Sequence, residues 1–190
     1  MRTERQEQIL KTSIELIANK GIQGFTIKNL SHAIGISEPA IYRHFESKTA
    51  ILLAILDNFK EMAGMMSSSI TNSENRTIDK IEILFLNLIE MFIKQPTIIS
   101  VIFSEEIFKN DIQLKNKIIE IHNLNQTNIE RIIDEGLVKG YVRNDLDTSS
   151  LALIFMGAFR LLVKRWDLNG YNFNLKSEGE KLIHSFKLLL

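Results

Sequence analysis

The sequence predicts an all-α fold: a compact three-helix domain over residues 1–48, followed by a larger helical bundle over residues 49–190. Three observations carry that expectation. The chain of 190 residues holds only 2 prolines and 9 glycines, too few breakers for a protein of many turns and strands. Long stretches rich in Leu, Ile, Lys and Glu repeat their apolar positions with the spacing of a helix face. Polar breaks between those stretches carry Ser, Thr or Asp, the side chains that satisfy the unpaired N–H groups of a helix start.

The first helix is expected over residues 3–20. Thr3 and Gln6 are spaced as a capping box, and Ile9, Leu10, Ser13, Ile14 and Ile17 share an inward face. Gly21 supplies its stop. Thr26 caps a second helix that runs to Ile34, Gly35 permits a tight reversal, and Ser37 caps a third helix to about Phe45. Pro39 is tolerated in that third helix because the first turn lacks N–H partners anyway. Ser47 caps a longer fourth helix, with Ile51, Leu52, Ile55, Leu56, Phe59 and Met62 at helical spacing before the polar run TNSENRT. An apolar helix over residues 78–94 stops before Pro96, and a shorter one follows to about Lys109. A long helix then covers residues 111–139, and Asp147 or Thr148 caps another that reaches about Asp167. The turn NGYNFN precedes a final helix that ends at Leu190.

Composition excludes several classes of function. Hydrophobic residues make up 45% and charged residues 24% of the chain, an ordinary soluble composition rather than a disordered or fibrous one. The absence of cysteine removes disulfides, thiolate nucleophiles, Cys-ligated zinc and iron–sulfur clusters. No GxSxG, P-loop, HExxH or dinucleotide fingerprint is present, so no enzyme, cofactor or metal site is expected. The amino terminus has no apolar signal core, and the strongest apolar run, residues 151–159, is too short to span a bilayer. A cytoplasmic protein without a membrane partner is expected. With a net charge of +0, any binding to nucleic acid must come from local placement of basic groups.

Residues 31–45, SHAIGISEPAIYRHF, supply such a placement. Two short helices around a glycine turn form a helix-turn-helix, whose second helix lies in a DNA major groove while the first crosses the backbone. Ala40 is small enough for close approach, Ile41 and Phe45 face the three-helix core, and Tyr42, Arg43 and His44 lie on or beside the outward surface. Arg43 suits a bidentate contact to guanine. Tyr42, His44 and Lys48 suit phosphate oxygens, as do Thr26 and Lys28 at the positive end of the second helix. Ser37, Glu38 and Pro39 open the groove-facing helix. Glu38 would repel phosphate, although it can accept from cytosine. Helix-glycine-helix pairs also occur in all-α domains that never meet DNA, and the combination of residues favours the reader.

The run FTIKNLSHAIGISEPAIYRHFESKTAIL, preceded by ANKGIQG, resembles the amino-terminal domain of the TetR/AcrR family of bacterial transcriptional regulators. The hallmarks are Gly21, Phe25, Thr26, Ile34-Gly35-Ile36-Ser37, Ala40-Ile41-Tyr42, His44-Phe45 and Lys48. The resemblance covers roughly the first fifty residues. It implies phosphate contacts from Tyr42, His44 and Lys48, base contacts from the segment between Glu38 and Arg43, and a homodimeric repressor released by a small molecule of unknown identity. Glu38 departs from the pattern and leaves the operator sequence open.

Two features of the second part bear on that expectation. In the helix over residues 148–167 the apolar arc spans roughly 220°, against a polar stripe of Arg160, Lys164 and Asp167. That is wider than one core needs, so a dimer interface is expected from Phe155, Phe159, Leu162 and Trp166, with Leu182 and Phe186 of the last helix. The competing arrangement is the central helix of a monomer. In the helix over residues 111–139, His122, Asn125 and Gln126 interrupt an apolar face. They are expected as the polar handle of a ligand pocket walled by Phe85, Phe92, Phe103 and Phe155, unless each finds a partner in the core. The predicted function is a ligand-responsive transcriptional regulator binding a double-stranded operator. An effector-independent, nucleoid-associated DNA-binding protein of the same fold is the alternative, and a helical interaction module without DNA binding is disfavoured by the basic third helix.

Overall fold

The computed structural model describes residues 2–71, 73, 75–103, 108 and 110–190. Among these residues the regular structure is helical: α1 (Glu4–Gly24), α2 (Ile27–Ile34), α3 (Glu38–Tyr42), α4 (Lys48–Thr71), α5 (Thr77–Lys94), a 3-10 turn (Pro96–Ile98), α6 (Ile99–Ile102), α7 (Ile112–Val138), α8 (Thr148–Leu168) and α9 (Leu175–Leu189). The expected end of the short helix near Lys109 lies outside the described residues. No single described helix is long and apolar enough to cross a membrane.

The helix starts follow the side chains that cap them. The Thr3 hydroxyl accepts from the Gln6 N–H at 3.2 Å, and Gln6 Oε1 accepts from the Thr3 N–H at 3.0 Å, which is the complete capping box. Thr26, Ser47, Asp147 and Asn174 accept from the backbone three residues on. α1 breaks at Gly21 and makes one further turn to Gly24. Gly35 is left-handed at φ 79° and accommodates the reversal between α2 and α3.

α3 is shorter than predicted, five residues rather than an extension to Phe45. After Tyr42 the N–H of His44 reaches back only three residues, to the Ile41 carbonyl at 2.9 Å, so the last turn tightens. The Ser37 hydroxyl makes no capping bond. One of the two N–H groups that such a cap serves belongs to Pro39, which has none.

The chain forms two compact units, residues 1–60 with 97–119 and residues 61–96 with 120–190. The first unit takes in Ile51, Leu52, Ile55 and Leu56 of α4, which are buried, together with residues 97–119. Within that first unit Thr49 donates to Asp111 at 2.9 Å, Lys117 pairs with Asp57 at 3.0 Å, and α6 packs on α1. Asp111 also accepts from the N–H groups of Gln113 and Leu114, which starts α7.

In the second unit α5, α8 and α9 pack together around a phenylalanine cluster. Phe85 lies 4.7 Å from Phe159 and 5.6 Å from Phe186 between ring centroids, Phe155 lies 4.3 Å from Phe186, and Phe92 lies 6.4 Å from Phe159. Each such pair adds about 0.5–1.5 kcal/mol beyond the area it buries. The close approach of α7 to the start of α5 depends on a residue without a side chain. A Cβ at Gly136 would stand 2.3 Å from Thr77 Oγ1 and 2.6 Å from Val142 Cγ2. Gly136→Ala is therefore expected to destabilise the protein by about 1–3 kcal/mol through overpacking. An unchanged urea midpoint for that variant would show that the contact relaxes freely.

Candidate nucleic-acid interface

The outward surface of α2 and α3 is built by what the inward surface must do. Leu30 and Ile41 are fully buried and Phe45 nearly so, with α2 packed on both α1 and α3. The intervening positions are thereby turned to solvent. Thr26, Lys28, Ser37, Glu38, Pro39, Tyr42 and Arg43 are exposed, while Ala40, His44 and Lys48 are half-buried. Thr26 is committed to its cap, its hydroxyl accepting from Asn29 at 3.1 Å, so its value to a phosphate is confined to the remaining hydroxyl donor. Arg43 closes α3 in helical geometry, and no carboxylate pairs with it among the described residues. A guanidinium held at the end of a short exposed helix without an acid beside it is available to a base edge.

Two neighbours stiffen this surface. Gln6 of α1 donates to the carbonyl of His44 at 3.5 Å, which fixes the turn after α3. The ammonium of Lys48 stands 5.1 Å from the centroid of the buried Phe25 ring, and partial burial lowers its pKa from the ordinary lysine value. In the sequence Phe25 shows itself as a hallmark of the motif, and its contact with Lys48 needs the fold.

The residues expected at a ligand pocket fall in both compact units. Phe85, Phe92 and Phe155 are buried in the phenylalanine cluster of the second unit. Phe103 belongs to the first unit. His122, Asn125 and Gln126 are half-buried. The Gln126 amide donates to Glu130 and to Ser149, both at 2.9 Å. The second unit also carries an open cleft of about 250 Å³, lined by Met62 and Met66 of α4 and by Asn87, Glu90, Met91 and Lys94 of α5. None of these six was expected. The signal was the repeat Met62, Met65, Met66, methionines three and four residues apart on one helix.

The residues expected at a dimer surface divide between buried and half-buried positions of the protomer. Phe155, Phe159, Trp166 and Phe186 point into their own protomer, and Leu162 and Leu182 are half-buried. A helical wheel measures the width of an apolar arc, and the neighbouring helices decide which flank they cover. The flank left to solvent carries Leu153, Ile154, Leu161 and Leu168, with Leu153 65% and Leu161 61% exposed. Four large apolar side chains thus stand exposed together on one flank of α8.

Comparison with known proteins agrees with this architecture. Residues 9–55 match the bacterial regulatory proteins of the tetR family, and residues 74–190 match the carboxyl-terminal region of MAATS-type transcriptional repressors. The nucleoid occlusion factor SlmA of Actinobacillus pleuropneumoniae is 27% identical over 165 residues, covering 80% of this chain and 81% of that protein. The probable acrEF/envCD operon repressor of Escherichia coli K12 is 21% identical over 182 residues, covering 94% of this chain and 83% of that protein. Among solved structures, the fatty acid degradation regulator FadR of Bacillus halodurans superposes with a TM-score of 0.85 at 19% identity, over 98% of this chain and 96% of that one. FadR of Bacillus subtilis, solved in complex with stearoyl-CoA, superposes with a TM-score of 0.84 at 18% identity, over 97% and 98%.

Proposed function

This chain belongs to the tetR family of bacterial regulatory proteins, and from that membership we propose a homodimeric, ligand-responsive repressor that binds a near-palindromic operator. The observation that carries the proposal is the exposed surface at α3, where Tyr42 and Arg43 face outward without a carboxylate partner among the described residues. Arg43 reads guanine. Tyr42, His44 and Lys48 hold phosphates, Lys28 adds a contact from α2, and Ser37, Glu38, Pro39 and Ala40 lie against the groove. Residues 1–48 thus read DNA, and residues 49–190 pair the protomers and bind the effector.

The second copy covers the Leu153, Ile154, Leu161 and Leu168 stripe of α8, flanked by Leu162 and Leu182. A two-fold axis through that contact sets two copies of α3 about 34 Å apart, one turn of duplex. The effector is a small apolar or amphipathic molecule, consistent with the acyl-CoA bound by a regulator of the same fold. His122 and Asn125 supply polar contacts for it, with Gln126 released from its present partners. By binding more tightly to a protomer geometry that misplaces α3, the effector draws the population away from DNA. The likeness to a nucleoid occlusion factor favours a second reading, a DNA-binding protein that needs no effector. A panel of acyl-CoAs and flat aromatic compounds separates the two: the repressor releases its operator in the presence of one class, and the effector-independent protein releases it with none.

Two substitutions test the DNA-reading surface. Arg43→Ala is expected to relax sequence preference at one position of each half-site at a cost of about 1–3 kcal/mol. Lys48→Ala is expected to weaken all duplexes alike and to lower the salt slope by about 1. Unchanged binding in both variants, measured by fluorescence anisotropy on specific and random duplexes, would remove α3 from the interface.

A further inference from the structure

The lysine at the start of α4 has an unusual neighbour. Its ammonium sits 5.1 Å from the centroid of the Phe25 ring, at a helix start, where the macrodipole disfavours positive charge. Left to itself such a side chain would extend into water. It has no carboxylate partner among the described residues, and Phe25 is fully buried at the junction of α1 and α2. We propose that Phe25 is a positioning residue for phosphate binding, its ring face holding the Lys48 ammonium beside the helix-turn-helix so that it meets the duplex backbone already oriented.

The chemistry distinguishes a ring from an acid in this role. A carboxylate would orient the ammonium equally well, but it would neutralise the charge and compete with phosphate. A ring face attracts the cation through its quadrupole and leaves the net charge intact. Because the ring is locked in the core, part of the side-chain entropy that phosphate binding would remove from Lys48 is already lost in the free protein. Partial burial, which lowers the lysine pKa, has also stripped part of its water before DNA arrives. The inference rests on the proposal that Lys48 meets phosphate.

The test uses the full-length protein on a labelled random-sequence duplex, with affinity followed by anisotropy across a salt series. Lys48→Ala is expected to lower the slope of log K against log salt by about 0.9, one phosphate contact. Phe25→Leu is expected to lower it by a large part of that amount, and the double variant is expected to fall no further than Lys48→Ala alone. Should Phe25→Leu disturb the three-helix core, pentafluorophenylalanine at position 25 keeps the shape of the ring while reversing the charge of its face, and the same loss of slope is expected. Wild-type slope in the fluorinated protein, or additive losses in the double variant, would overturn the positioning role. A wild-type slope in Lys48→Ala would instead overturn the phosphate contact itself, and the positioning role with it.

Discussion

Leu161→Glu is expected to abolish the proposed dimer and to lower operator affinity about 10²–10⁴-fold, the range by which two linked sites exceed one. Leu161 is 61% exposed in the protomer, so a carboxylate there removes little from the protomer's own core. Across a two-fold axis each copy of a residue lies near the same patch of its partner, and the new charges would be buried against apolar surface and against each other. Sedimentation velocity measures the first effect and anisotropy on an operator duplex the second. A variant that stays dimeric with wild-type affinity would place the interface elsewhere than the exposed stripe of α8.

Glu135→Ala is expected to destabilise the fold by about 3 kcal/mol, toward the lower end of the range for breaking a buried pair. Lys80 is 1% exposed, and its ammonium lies 2.7 Å from Glu135, whose other oxygen accepts from Lys139 at 2.6 Å. The carboxylate keeps some contact with water, with 29% of its side chain exposed, which moderates the effect. Lys80→Met, which replaces the buried charge with an apolar chain of similar length, is expected to lose much less. Urea denaturation of the two variants decides between them, and equal losses would show that packing around Lys80, rather than its charge, matters.

The same pair sets a direction for pH. Hydrogen bonds from Lys139 and then from Lys80 hold the Glu135 carboxyl below its ordinary pKa, against the opposing effect of burial. A depressed carboxylate contributes stability that is complete above its unfolded pKa and is lost as pH falls through the folded value. Asp111, lowered by the Thr49 hydroxyl and the start of α7, Asp145, lowered by Arg143, and Asp147, lowered by the start of α8, act in the same direction. The urea midpoint is therefore expected to decline on acidification below the usual carboxylate range, and to decline less steeply in Glu135→Gln.

The helix starts were legible because their chemistry is local. Thr3 with Gln6, Thr26, Ser47 and Asp147 each satisfy N–H groups within a few residues of themselves, and the outward positions of α3 follow from Ile41 and Phe45 facing in. The end of α3 was not legible, because nothing in Arg43 or His44 stops a helix; the stop comes with the burial of Phe45. In the second part, periodicity identified α8 as apolar on too many sides but could not assign its flanks. Phe155 and Phe159 went inward because α5 and α9 pack on that side of α8, and Leu153 and Leu161 stayed exposed. Lys80 and Glu135 are 55 residues apart in sequence, and Gly136 matters only where Thr77 and Val142 crowd it. No window of sequence contains such pairs.

The central claim is that two copies of α3, related by a two-fold axis, read one duplex. Selection of bound duplexes from a random pool by the purified protein tests it most directly. The expected result is an enriched inverted repeat with half-site centres about 10 bp apart, in which Arg43→Ala loses preference at one symmetric pair of positions. A pool that shows no enrichment, or a site without two-fold symmetry whose preferences survive Arg43→Ala, would contradict it.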